Sequence, residues 1–93
     1  MSTRRRPSFE FGGREIRAGR SSTAELPIPR LVTLSQLTLP VRVMHGSHEG
    51  PVVCVSAAIH GDEIGGVEII RRVIDRLDAR RLSGTILFVP IVN

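Results

Sequence analysis

Tryptophan, tyrosine and lysine are absent from this 93-residue chain, cysteine occurs once, and the only aromatics are Phe9, Phe11 and Phe88. Each absence excludes something. With Cys54 alone no intrachain disulfide can form, so the fold is not held by crosslinks. Without large aromatics the core must be aliphatic, and a nucleic-acid surface lacks the stacking side chains it would want. No segment approaches the ~18 apolar residues of a membrane span. The charged start, Met1–Ser8, is not followed by an apolar stretch, so it does not read as a secretory signal. The expectation is a soluble, cytoplasmic protein that binds neither nucleic acid nor membrane.

All thirteen basic residues are arginine, and they are unevenly placed. Residues 1–30 hold seven arginines against three glutamates, a net charge of +4, whereas residues 31–93 hold six of each sign and are neutral. The basic character therefore belongs to the N-terminal segment. The apolar share, 41%, is that of a globular domain. A chain of this length buries only roughly 60 to 65% of its unfolded surface, so one small core of marginal stability is expected.

The pattern divides the chain into a leader (1–8) with nothing to bury, N-terminal strands or an arm (9–35), and a main unit (36–93). Phe9–Arg20 contains the Gly12-Gly13 turn and the alternation Glu15-Ile16-Arg17, which predicts a short edge strand. Ala24–Thr33, with Pro27 and Pro29 two apart, predicts either an edge strand with its prolines outward or an extended arm. Gln36–Met44 alternates well enough for a half-buried strand, with Pro40 marking an edge or bulge. His45–Pro51 reads as a turn.

Val52–Ile59 is a nearly continuous apolar run, the pattern of a strand covered on both faces, with Cys54 as a buried small hydrophobe. Helical spacing follows in Val67, Ile70, Val73 or Ile74, and Leu77, with Glu68 placed to pair with Arg72 on the polar face. Thr85–Val89 is a second β-rich run, ended by Pro90. Residues 52–89 are thus expected to form a βαβ unit with a right-handed crossover.

His60-Gly61-Asp62-Glu63 falls where that first strand meets the helix. Ligands of open α/β sheets bind outside the carboxyl ends of the strands. An imidazole nitrogen and a carboxylate are ordinary zinc ligands. His60 and Glu63 are therefore candidate metal ligands, with Asp62 placed to cap the helix. The spacing alone is a weak signal. By itself it fits better a loop histidine and a first-turn glutamate that satisfy a helix end.

The wider string Val55-Ser56-Ala57-Ala58-Ile59-His60-Gly61-Asp62-Glu63-Ile64-Gly65-Gly66 resembles the metal motif of the succinylglutamate desuccinylase/aspartoacylase family, which is related to zinc carboxypeptidases. The flanking strings Val43-Met44-His45-Gly46 and Val89-Pro90-Ile91-Val92-Asn93 agree with it, so the resemblance spans about residues 36–93. It implies an α/β fold: a partial zinc-carboxypeptidase-like mixed sheet whose βαβ unit, about 52–89, is preceded by short N-terminal β-strands. It implies zinc held by His60 and Glu63. It further implies hydrolysis of an amide or ester bond in a small carboxylate-bearing substrate, such as an N-acyl amino acid.

Family members also use a second histidine as third ligand, a glutamate as general base and substrate-gripping arginines, all downstream of this motif. No catalytic residue can be assigned among these residues. His45 and His48 precede the motif and read as turn histidines. The chain is accordingly expected to be an N-terminal portion that has as its partner either a missing C-terminal portion or another copy in a homo-oligomer. The alternatives are an inactive truncated fragment and a small anion-binding module at the helix start, Gly61–Gly66. Asp62 and Glu63 disfavour an anion there.

Overall fold

The computed structural model describes residues 6–28, 37–59 and 65–92. In chain order they form β1 (Phe9–Phe11), β2 (Arg14–Ile16), β3 (Arg20–Ile28), β4 (Leu37–His45), β5 (His48–Ile59), α1 (Gly65–Arg76) and β6 (Ser83–Val92). The architecture is mixed α/β. A four-stranded sheet runs β3-β4-β6-β5, and β1 and β2 make a separate hairpin. β3, β4 and β6 pair antiparallel, and β5 pairs parallel with β6. The β5–α1–β6 passage is therefore the expected βαβ unit.

The β1–β2 hairpin follows from its turn. Phe11 pairs with Arg14, leaving two loop residues, Gly12 and Gly13, both with positive φ (58° and 76°). That is the primed turn whose twist matches the flanking strands, and glycine adopts it without a Cβ penalty.

Strand alternation then assigns each side chain to a face. Val41 and Val43 of β4 share one face with Leu26 of β3 and with Leu87 and Val89 of β6. The hairpin covers this face with Phe9, Phe11 and the buried Ile16. Met44, Ile86, Phe88 and Ala57 point to the other face, where α1 lays down Ile70 and Ile74 and the following turn adds Ala79. Of the two residues that the helical spacing left open, Ile74 packs inward and Val73 is 39% exposed. Full burial of side chains such as Phe88 and Val43 stabilises the fold by about 1.5 to 3 kcal/mol each.

Pro40 is accommodated by a gap in pairing. The β4–β6 ladder runs from His45↔Thr85 to Arg42↔Phe88 and ends there. Continued in register, it would set Pro40 opposite Pro90, and neither proline has an N–H to donate. Pro27 lies on β3, which among the described residues has a neighbour on one side only, as an edge proline should.

The expectation of a strand covered on both faces is corrected. Among the described residues β5 is the margin of the sheet, and Val52, Val53 and Val55 are exposed. The single described helix reaches only as far as Ala57 on one face, and the hairpin clusters with β3, β4 and β6 on the other. Cys54 faces the hairpin side beyond the hairpin's reach and is exposed, not buried. The expected turn His45–Pro51 contracts to Gly46 and Ser47, because β4 continues through His45 and β5 begins at His48. The expected leader is held at its end: Arg6 donates from Nη1 to the carbonyls of Gly46 (3.0 Å) and Gly84 (3.2 Å).

Candidate functional site

Two ends of the β5/β6 pair must be distinguished. Parallel register places Ile59 beside Val92 at the carboxyl end and Val52 beside Thr85 towards the amino end. His60 follows Ile59 directly, so the His60–Glu63 string leaves the sheet at the carboxyl end of β5, and α1 begins two residues after Glu63. His60 and Glu63, the proposed Asp62 cap and the anion alternative at residues 61–64 lie outside the described residues. Among the described residues, no three His, Cys, Asp or Glu side chains are grouped so as to hold a metal ion.

The helix that follows is organised on its solvent side by Glu68. One carboxylate oxygen accepts from Arg71 Nη2 at 2.6 Å and Arg72 Nε at 3.2 Å, and the other accepts from Arg71 Nε at 3.1 Å. The bonds from Arg71, then those from Arg72, hold the Glu68 carboxyl below its usual range. The same pairing raises the Arg71 guanidinium. Glu68 sits in the first turn of α1, where its charge also suits the helix dipole. Both arginines occupy it, so it offers no free base. At the other end of α1, Asp78 accepts the backbone N–H of Arg80 at 3.0 Å, which lowers its carboxyl as well.

His45 departs most from its sequence reading. It is 3% exposed and closes β4 on the hairpin face, beside its cross-strand partner Thr85. Both ring nitrogens are engaged, Nδ1 with Thr85 Oγ1 at 2.7 Å and Nε2 with the Pro7 carbonyl at 2.8 Å. The carbonyl can only accept, so Nε2 carries a proton, and in the neutral ring Nδ1 accepts from the threonine hydroxyl. Phe9 lies against the ring at 5.6 Å between centroids. Sequence parity could have found this burial, since 41, 43 and 45 share a face, but the glycines that follow suggested a turn. Thr85 stands seven residues before Val92, about 23 Å along the strand, so His45 belongs to the opposite end of the sheet from Ile59, the last described residue of β5. His48 is exposed and opens β5 at that same far end.

No curated protein and no solved structure gives a significant match to this chain. At the level of families the result is different: residues 49–93, from the start of β5 through α1 and β6, match the model of the succinylglutamate desuccinylase/aspartoacylase catalytic domain, the family that the string Val55–Gly66 resembles.

Proposed function

We propose that the chain is the N-terminal part of a zinc-dependent hydrolase, a deacylase that cleaves an amide or ester bond in a small carboxylate-bearing substrate such as an N-acyl amino acid. The observation that carries this reading is the family match over residues 49–93, which contains the whole His60–Glu63 string. The parallel β5–α1–β6 unit supports it, because such a unit sends its strand-to-helix loop out at the ligand-binding end of a sheet. By the same resemblance the sheet is the start of a zinc-carboxypeptidase-like domain.

The donor set fits the metal. His60 would supply an imidazole nitrogen and Glu63 a carboxylate oxygen, two of the three protein ligands that a catalytic zinc commonly takes. Zinc, when bound, supplies Lewis acidity that polarises a carbonyl oxygen and acidifies water. The contribution of this chain's residues is to present the two ligands. The third ligand and the general base have no assignment among these residues.

The test is the zinc content and hydrolytic activity of the full-length enzyme, with the third ligand and general base supplied downstream, as purified His60→Ala, Glu63→Ala and His48→Ala variants. The first two should lose metal and activity together, and the third should keep both. Retention of a full equivalent of zinc by His60→Ala would end the ligand assignment.

A further inference from the structure

Beyond the amino ends of β5 and β6, four arginines from three segments line one cleft. Arg6 comes from the leader, Arg17 and Arg20 flank the β2–β3 turn, and Arg80 lies in the α1–β6 connection. We propose that this cleft is a binding site for a small anion carrying two or more phosphate groups.

Backbone hydrogen bonds fix the walls. Arg20 N–H donates to the Arg17 carbonyl at 3.1 Å, closing the turn that brings both arginines to the rim. Gly19 N–H donates to the His45 carbonyl at 2.7 Å, which docks that turn on the end of β4. Ser47 N–H donates to the Ala79 carbonyl at 3.1 Å, which ties the opposite wall to the segment carrying Arg80. Gly19 lines the cleft between them. A Cβ there would stand 2.7 Å from Ser47 Oγ and 3.6 Å from Arg80 Cγ, so the two walls approach closely only over a glycine.

The charge is one-sided. Among the described residues no acidic side chain lines the cleft; Asp78, outside it, accepts from Arg80 Nε at 3.3 Å and Nη2 at 3.4 Å and offsets part of that charge, which leaves Arg6, Arg17 and Arg20 as the uncompensated cations. Arg6 spends one nitrogen on the carbonyls of Gly46 and Gly84, which pins its guanidinium in place. Like charges drawn together by the backbone repel, and a multivalent anion removes that cost. Guanidinium forks suit bidentate contact with phosphate or carboxylate oxygens. The cleft, about 630 Å³, has the size of a small-molecule site and exceeds what a lone phosphate needs. Its distance from the carboxyl ends of the strands separates it from the proposed hydrolytic site, and it stands whether or not that reading does.

The experiment is calorimetric titration of the chain at low ionic strength with inorganic tripolyphosphate, with a nucleoside triphosphate and with citrate. The expected result is saturable one-to-one binding of both triphosphates with similar affinity and weaker binding of citrate. Arg80→Gln and the Arg17→Gln/Arg20→Gln pair should each weaken tripolyphosphate by roughly tenfold or more. Arg14→Gln and Arg76→Gln, outside the cleft, should change it by less than about twofold. Circular dichroism checks folding, and if the double variant unfolds, Arg80→Gln decides. Absence of saturation below about 1 mM would overturn the proposal. So would equal weakening by the outside variants, which indicates general charge attraction. Affinity for a single-stranded oligonucleotide that exceeds that for tripolyphosphate and rises with its length would also overturn it.

Discussion

Replacing Thr85 by Val removes one hydroxyl from a position that is 1% exposed and changes little else in shape. In the intact protein that hydroxyl satisfies His45 Nδ1 at 2.7 Å, while Nε2–H donates to the Pro7 carbonyl. After the substitution Nδ1 is a buried acceptor without a donor. No buried side-chain nitrogen or oxygen among the described residues lacks a partner at present, so the defect would be new. An orphaned buried polar atom costs about 1 to 3 kcal/mol, and replacing both partners by apolar groups costs less than the two single changes together. Thr85→Val should therefore lose about 1 to 3 kcal/mol, on the order of 10 °C in Tm for a chain of this size. His45→Leu alone should cost at least as much, because it strands both Thr85 and the Pro7 carbonyl. The double variant should fall short of the sum by about 1 kcal/mol. Urea denaturation of the four proteins measures this cycle. Additivity within about 0.3 kcal/mol would refute the buried pair, and so would a Thr85→Val protein as stable as the parent.

Gly84 has φ +97°, and a Cβ there would run into the Pro51 carbonyl, so Gly84→Ala should cost at least about 2 kcal/mol in the same denaturation assay. Because the Glu68 carboxyl is held low in the folded state, its contribution to stability is present above the ordinary carboxylate range and is lost as pH falls through its folded value. The Arg71→Gln/Arg72→Gln pair should move the Glu68 titration, followed by carboxyl NMR, upward towards that ordinary range; an unmoved titration would refute the cause given. The exposed valines of β5 should promote association, so light scattering should show Val53→Lys/Val55→Lys less associated than the parent, and a compact monomeric parent in concentrated solution would refute this.

How far the sequence could be read depended on whether a signal was local. The β5–α1–β6 unit was legible because two apolar β-rich runs flank a segment with helical period, and Glu68–Arg72 was legible because i,i+4 spacing alone brings the pair together. The Gly12-Gly13 turn was legible for the same reason, but the pattern predicted one short edge strand there and not the two strands, β1 and β2, that pair across it. What failed was information about neighbours. The run Val52–Ile59 reads as doubly covered, yet strand order puts it at the margin, and no local pattern encodes strand order. His45 was misread because its partners, Pro7 and Thr85, lie 38 and 40 residues away. The convergence of Arg6, Arg17, Arg20 and Arg80 was equally hidden, since in sequence they are a scatter of surface charges. The family was legible as a resemblance, carried by the residues that flank His60–Glu63 more than by the His-x-x-Glu spacing, and the family match covers that string.

The two ends of the parallel pair thus carry opposite chemistry, and the distance between them decides whether they can interfere. The chain is elongated: its radius of gyration is 15.0 Å, against about 12 Å for a compact domain of this length. His60, Asp62 and Glu63 follow the carboxyl end of β5, while the arginine cleft lies before the amino ends of β5 and β6. The stretch of β6 from Thr85 to Val92 alone is about 23 Å. Charges interacting through solvent are screened over about 8 Å at physiological ionic strength, so an anion in the cleft would leave the field at the His60 loop nearly unchanged. Coupling through the strands would require β5 or β6 to have two arrangements, and a ladder in continuous register from Val52↔Thr85 to Ile59↔Val92 offers one. The proposed cation and anion sites could therefore share this small unit without either weakening the other, because the strand length of the βαβ unit would lie between them.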